Sequence, residues 1–148
     1  MEKLNFDNGI QEFEINGNGI LRFNPGDPNV YARLLDALDE IKAIENDLVE
    51  QAKNIQQDDG AEVLRLMAKA DKRVKDTLGK VFGPENDFDE ILGGENVMAV
   101  ASNGERVISN LLNVLTPIIQ EGAEKCAKQQ ADIAVAEAKN DRDLRVQK

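Results

Sequence analysis

The densest gathering of side chains with chemical capacity is acidic: Glu85, Asp87, Asp89 and Glu90 fall close together. Such a run invites a calcium reading. An EF-hand loop, however, spreads its oxygen ligands over about twelve residues around an obligatory glycine, and the run has neither feature. Its composition is that of a helix start, where carboxylates meet the positive end of the helix dipole, so no metal is expected. The glycine pairs Gly17/Gly19 and Gly93/Gly94 lack a following Lys-Ser or Lys-Thr and the strand-to-helix setting of a phosphate loop. They read as turns. Cys126 is the only cysteine, and the chain has no histidine. Without a base beside it, Cys126 reads as a small packed helix residue rather than a nucleophile. The lack of histidine also removes the commonest general acid–base and the commonest ligand of a catalytic zinc. Catalytic, cofactor-binding and metal residues are therefore expected to be absent, and the chain is not expected to be an enzyme.

Charge narrows the partners. Eighteen basic and 28 acidic residues give a net charge of −10, which repels a nucleic-acid backbone or an anionic membrane. Only residues 60–83 are net basic, with Arg65, Lys69, Lys72, Arg73, Lys75 and Lys80 against Glu62, Asp71 and Asp76. No aromatic residues interleave there to stack on bases. Residues 1–59, with five basic and 13 acidic side chains, offer this stretch an intramolecular partner of opposite charge.

The elements that must carry these groups are mostly helical. Val30, Leu34, Leu38, Ile41, Leu48, Ala52 and Ile55 recur at helical spacing, as do Leu64, Met67, Val74, Leu78 and Val81. Each set makes one apolar stripe. Asp27 and Pro28 open the first helix as N-cap and first-turn proline, and it is expected to run to about Gln57. Asp58-Asp59-Gly60 breaks the pattern, and a second helix follows to Val81. Opposite charge on consecutive helices favours an antiparallel hairpin. Before them, Gln11–Ile15 and Ile20–Phe23 flank Asn16-Gly17-Asn18-Gly19, the signature of a tight β-turn. Asp7-Asn8-Gly9 suggests another turn and a third short strand around Leu4–Phe6. An isolated hairpin is marginal in water, so it must pack on the helices or pair with another chain. Asn86–Leu92 reads as a short helix closed by Gly93-Gly94. Val97–Ala101 is open between helix and strand.

The last segment carries the candidate interaction surface. Val107, Ile108, Leu111, Leu112, Val114, Leu115, Ile118 and Ile119 form an apolar face wider than a coiled-coil seam, with Pro117 inside it. A mid-helix proline removes a backbone hydrogen bond and kinks the helix. Beyond it, Ala123, Ala127, Ala131, Ala134 and Ala138 continue as a thin stripe. The wide face is expected to complete the core, and the spare stripe to meet a partner or a second copy. Leu111, Leu115, Ile118, Ile119, Ala127, Ala131 and Ala134 are the residues assigned to that contact.

The expected fold is mainly α: an N-terminal β-hairpin, an antiparallel helical hairpin, and a long C-terminal helix kinked near Pro117. One domain is expected over 1–148, divided into 1–26 (β-hairpin), 27–83 (helical hairpin), 84–104 (short helix and loops), 105–139 (long helix) and 140–148 (frayed tail). The polar start is unlike a signal peptide, and no apolar run approaches a membrane span. With one cysteine, a cytoplasmic location is the expectation.

Phe13-Glu14-Ile15-Asn16-Gly17, then Leu21-Arg22-Phe23-Asn24-Pro25-Gly26-Asp27-Pro28 and Tyr31-Ala32-Arg33, with the later Val81-Phe82-Gly83 and its acidic continuation, resemble a known group. It is the tail assembly chaperones of phages and prophages of Gram-positive bacteria. The resemblance spans the order of parts over most of the chain and rests on turn and cap motifs. It implies a helix-rich, self-associating protein without catalytic residues or cofactor. Such a protein binds the tape measure protein, a long helical chain, and keeps it soluble until tail tube subunits polymerise around it in the host cytoplasm. The competing expectation is a structural tail or head–tail connector component that stays in the virion. A small acidic regulator, resembling an antitoxin, is the third.

Overall fold

The computed structural model describes residues 1–146, with side-chain surroundings to Arg142. Its elements are β1 (Gln11–Glu14), β2 (Ile20–Phe23), α1 (Pro28–Lys53), α2 (Gly60–Phe82), α3 (Phe88–Ile91) and α4 (Val107–Val146). The architecture is mainly α with an N-terminal hairpin, as the patterning predicts.

β1 and β2 pair antiparallel, with Glu12 opposite Arg22 and Phe13 opposite Leu21. The turn places Asn16 and Gly17 both at positive φ, 51° and 72°, the pair of left-handed residues that an I′ turn needs. Phe13 stacks on Phe23, Phe23 meets Phe82 edge-on and Phe82 packs on Phe88, with ring centroids 4.9–5.5 Å apart. Four of the five phenylalanines thus join the hairpin to the end of α2 and to α3.

Asp27 caps α1 by accepting from the Asn29 N–H, and Asp59 caps α2 by accepting from the Glu62 N–H. The two helices pack side by side. Arg73 reaches Asp47 at 2.9 Å and Lys80 reaches Glu40 at 3.6 Å, so the opposite charges of the two sections meet across the hairpin. Both pairs are exposed and contribute little, about 0–1 kcal/mol each. The apolar stripes dominate, at roughly 1.5–3 kcal/mol for each fully buried Leu, Ile, Val or Phe.

Several boundaries differ from expectation. α1 ends at Lys53 rather than near Gln57, because Asn54 and Ile55 already bond three residues back, to Gln51 and Ala52. Ala37 and Ile44 are buried in its stripe, while Leu38, Ala52 and Ile55 are half-buried. On α2, Leu64 is exposed. Stepping back four residues from Met67 reaches Val63, so the buried face passes beside Leu64. Val97–Ala101 is neither helix nor strand, apart from a single bridge between Val100 and Arg106. Its carbonyls cap α4: Val97 O accepts from the Ile108 N–H and Ala99 O from the Val107 N–H. α4 therefore starts at Val107, and it continues through Pro117 and past Lys139 to Val146. The part of the expected frayed tail up to Val146 is helical, and 147–148 lie outside the described residues.

The third strand is absent among the described residues. Only Gly9, and not Asn8, has a positive φ, so Asn8-Gly9 does not form the I′ turn that Asn16-Gly17 forms. Instead Asp7 Oδ1 accepts from the Gly9 N–H and Asn8 Oδ1 from the Ile10 N–H, while Asn24 Nδ2 donates to the Asn8 carbonyl. These bonds fix the direction in which Met1–Asp7 leaves the body.

Candidate interaction surface

The acidic run does local structural work. Asp87 caps α3, its Oδ1 accepting from the Asp89 and Glu90 N–H groups. Asp89 turns to Lys75, the one lysine buried in the described body. The Lys75 ammonium donates to Asp89 Oδ1 at 2.7 Å, to the Glu95 carbonyl at 2.8 Å and to Asp71 Oδ2 at 3.0 Å. Its three protons thus have three acceptors. Asp71 Oδ1 in turn accepts from the Val97 N–H. Burial is the largest single influence on Lys75 and disfavours its charge. The hydrogen bonds and charges of Asp89 and Asp71 together outweigh it and raise the pKa. The Lys75 hydrogen bond, then its charge, holds Asp89 below the ordinary carboxylate range. The cluster ties α2, α3 and the loop before Val97 together. Sequence reading missed it, because a lysine on a charged helix reads as solvated and Asp89 is brought to it only by the fold.

Asn86 was also missed. Its side chain is buried, accepts from the Arg22 N–H at 2.9 Å, and donates to the carbonyls of Arg22 and Phe82. It closes the edge of β2 that faces away from β1. Among the described residues no group of three or more Asp, Glu, Cys or His could hold a metal ion. Among the described residues no buried side-chain nitrogen or oxygen lacks a partner either.

α4 divides the seven residues assigned to a partner contact. Leu115 and Ile119, at 1% and 0% exposure, lie in the core of this chain and are not available to a partner. The wide apolar face folds inward onto α1, and these two are its centre. Leu111 and Ile118 are half-buried against that core. Ala127, Ala131 and Ala134 are exposed. From Ala127 to Arg142 every residue is exposed, including Ile133 at 50% and Val135 at 69%. At about 1.5 Å per residue, the twenty residues from Ala127 to Val146 extend roughly 30 Å along the helix.

Two apolar grooves border α4. One, of about 650 Å³, lies where the helix parts from α1, between Pro28 and Tyr31 on one side and Ala123, Cys126 and Ala127 on the other. Cys126 is half-buried there. The second, of about 310 Å³, lies between the hairpin end and the start of α4, lined by Glu14, Ile15, Leu92, Ala101, Val107, Leu111 and Val114. Gly122 fixes the angle of α4 between the two: a Cβ there would collide with the Pro25 carbonyl. No helix among the described residues is long and apolar enough to cross a membrane. Set beside protein-family models, curated proteins and solved structures, the chain matches none of them.

Proposed function

We propose that this chain is a non-enzymatic tail assembly chaperone of a phage or prophage, acting in the host cytoplasm on the tape measure protein and on tail tube subunits. The observation that carries the reading is the solvent-exposed distal half of α4, with Ile133 and Val135 uncovered and the Tyr31–Ala127 groove at its base. A long helical client finds there the exposed Ala127, Ala131 and Ala134 stripe continuing from the apolar cleft, with Ile133 and Val135 uncovered on different sides of the same helix. The net charge of −10 keeps such a surface from precipitating with its own kind. The turn and cap motifs that resemble the chaperone group agree with it.

The test is co-expression with the very long tape measure protein expected to be encoded downstream. The wild-type chain is expected to bring that client into the soluble fraction and to co-purify with it. A variant carrying Ile133→Asp and Val135→Asp, unchanged in helicity, is expected to lose at least tenfold of the recovered client. An insoluble client with wild type overturns the reading. Detection of the chain in purified mature particles by mass spectrometry overturns it in favour of a structural tail or connector component.

A further inference from the structure

We propose that Leu4–Phe6 of one copy adds as a strand to the free edge of β1 in a second copy, in an exchanged arrangement that the hairpin-opening bonds at Asn8 and Gly9 enforce. The inference uses only the arm and the sheet, and does not depend on the chaperone reading.

Two parts of the molecule are incomplete in complementary ways. The arm has strand-like alternation, and Leu4 and Phe6 stand at 85% and 82% exposure. Phe6 is the one phenylalanine outside the aromatic stack. No backbone–backbone hydrogen bond falls on residues 1–9 among the described residues. The sheet, for its part, lacks a strand on one side. The Arg22 N–H and C=O point away from β1, toward Asn86, so its opposite residue Glu12 turns its own N–H and C=O away from β2. Two positions along, Glu14 does the same. That edge is uncovered, whereas the outer edge of β2 is closed by Asn86.

Apolar alternation admits registers two residues apart, and the charge of Lys3 selects the one that sets it opposite Glu14. An Asn8-Gly9 two-residue turn would set Asp7 opposite Ile10, hence Asn5 opposite Glu12, Leu4 opposite Phe13 and Lys3 opposite Glu14. That register places Leu4 and Phe6 on the face of Phe13 and Ile15, beside the groove of Leu111 and Val114. It places Lys3, the only basic residue before Arg22, on the face of Glu12 and Glu14. Within one chain the pairing is not made, because Asn8 keeps a negative φ and its carbonyl is held by Asn24. The same pairing made between copies needs no turn at all. An exposed strand edge and a free apolar arm on every copy are the two halves of one interface.

Light scattering on the full chain is expected to give at least twice the 16.3 kDa chain mass at tens of micromolar. Leu4→Ser with Phe6→Ser, which touches no buried residue, is expected to return it to the single-chain mass. Glu12→Pro removes an N–H that faces the free edge, together with the exposed Glu12–Arg22 ion pair, and is expected to do likewise, with an unchanged circular dichroism spectrum. Carbodiimide coupling of a ¹⁴N/¹⁵N mixture is expected to join Lys3 to Glu14 between differently labelled chains. A single-chain mass for the wild type overturns the proposal. So does an oligomer that survives both variants, or a Lys3–Glu14 link confined to one label.

Discussion

The two halves of α4 are one continuous helix with opposite fates. From Val107 to Ile119 it presents Ile108, Leu115 and Ile119 fully buried, with Val107, Leu111, Leu112 and Ile118 packed around them. From Ala127 to Arg142 nothing is buried. The difference is one of apolar density rather than of helix propensity. The proximal half offers β-branched and leucine side chains on a broad face, enough to cover α1. The distal half offers alanines, which are strong helix formers but bury too little surface to hold a helix against a body. The proximal half therefore belongs to the fold, and the distal half is stable only as far as its propensity, or a partner, makes it so.

The sharpest way to break this comparison is to put the same charge on each half. Ile119→Asp places an unpaired carboxylate in the core and is expected to cost about 4 kcal/mol or more. Val135→Asp is expected to leave stability within about 0.5 kcal/mol. Urea midpoints of the two variants decide it. A comparable loss in both would mean that the distal half is packed in solution.

The body can be probed away from α4 through its buried ammonium. Lys75→Met leaves Asp71 Oδ2, Asp89 Oδ1 and the Glu95 carbonyl without the ammonium that donates to them and is expected to cost about 3 kcal/mol. Its pH dependence has a defined sign. Asp89 is held below its ordinary value of 3.8, so its contribution is present above that value and is lost as pH falls through the lowered one. Lys75 is held above its ordinary value of 10.5. Its contribution is complete below 10.5 and is lost as pH rises through the raised value. The stability gap between wild type and Lys75→Met is thus expected to be widest between about pH 4 and 10.5 and to narrow at both ends. Asp47, held low first by the Gln51 amide and then by Arg73, adds an acid limb common to both proteins. A gap that stays constant from pH 3 to 11 would show that packing of the lysine stem, not its charge, is what matters.

How much of this was legible in residue types differs from element to element. The β-hairpin, both long helices and their caps were readable, because Asn16-Gly17, Asp27-Pro28 and Asp59 are local signals with local partners. Two of the four Asn-Gly pairs show where locality ends. Asn16-Gly17 and Asn8-Gly9 are the same dipeptide, yet only the first makes its turn, because Asn24 holds the carbonyl of Asn8 from sixteen residues away. The interaction surface was half legible for a related reason. Periodicity places Leu111, Leu115, Ile118 and Ile119 on a face but does not say whether the chain's own α1 covers it. The Lys75 cluster and Asn86 were not legible, since charged and amide side chains become core residues only when tertiary structure brings their acceptors.

The boundary between the two halves can be located with Gly122. In an exposed helix, Gly→Ala gains up to about 1 kcal/mol. At Gly122 the added methyl meets the Pro25 carbonyl, a rigid backbone neighbour, and the substitution is expected to destabilise by about 2 kcal/mol instead. A stabilised Gly122→Ala would move the point of separation back toward Ile119.

The smallest effect is the most discriminating about the distal half. Ala131→Gly is expected to cost about 1 kcal/mol of local helix, which corresponds to roughly fivefold faster amide exchange around residues 127–138. The urea midpoint should not move, because nothing in the body touches those side chains. Bound to a helical partner along that face, the same amides are expected to slow by far more than fivefold, and the Ala131→Gly difference is then expected to appear in affinity. A midpoint that falls together with the exchange rates would mean that the body and the distal half melt as one unit. The division of α4 would then describe only exposure, not energetics.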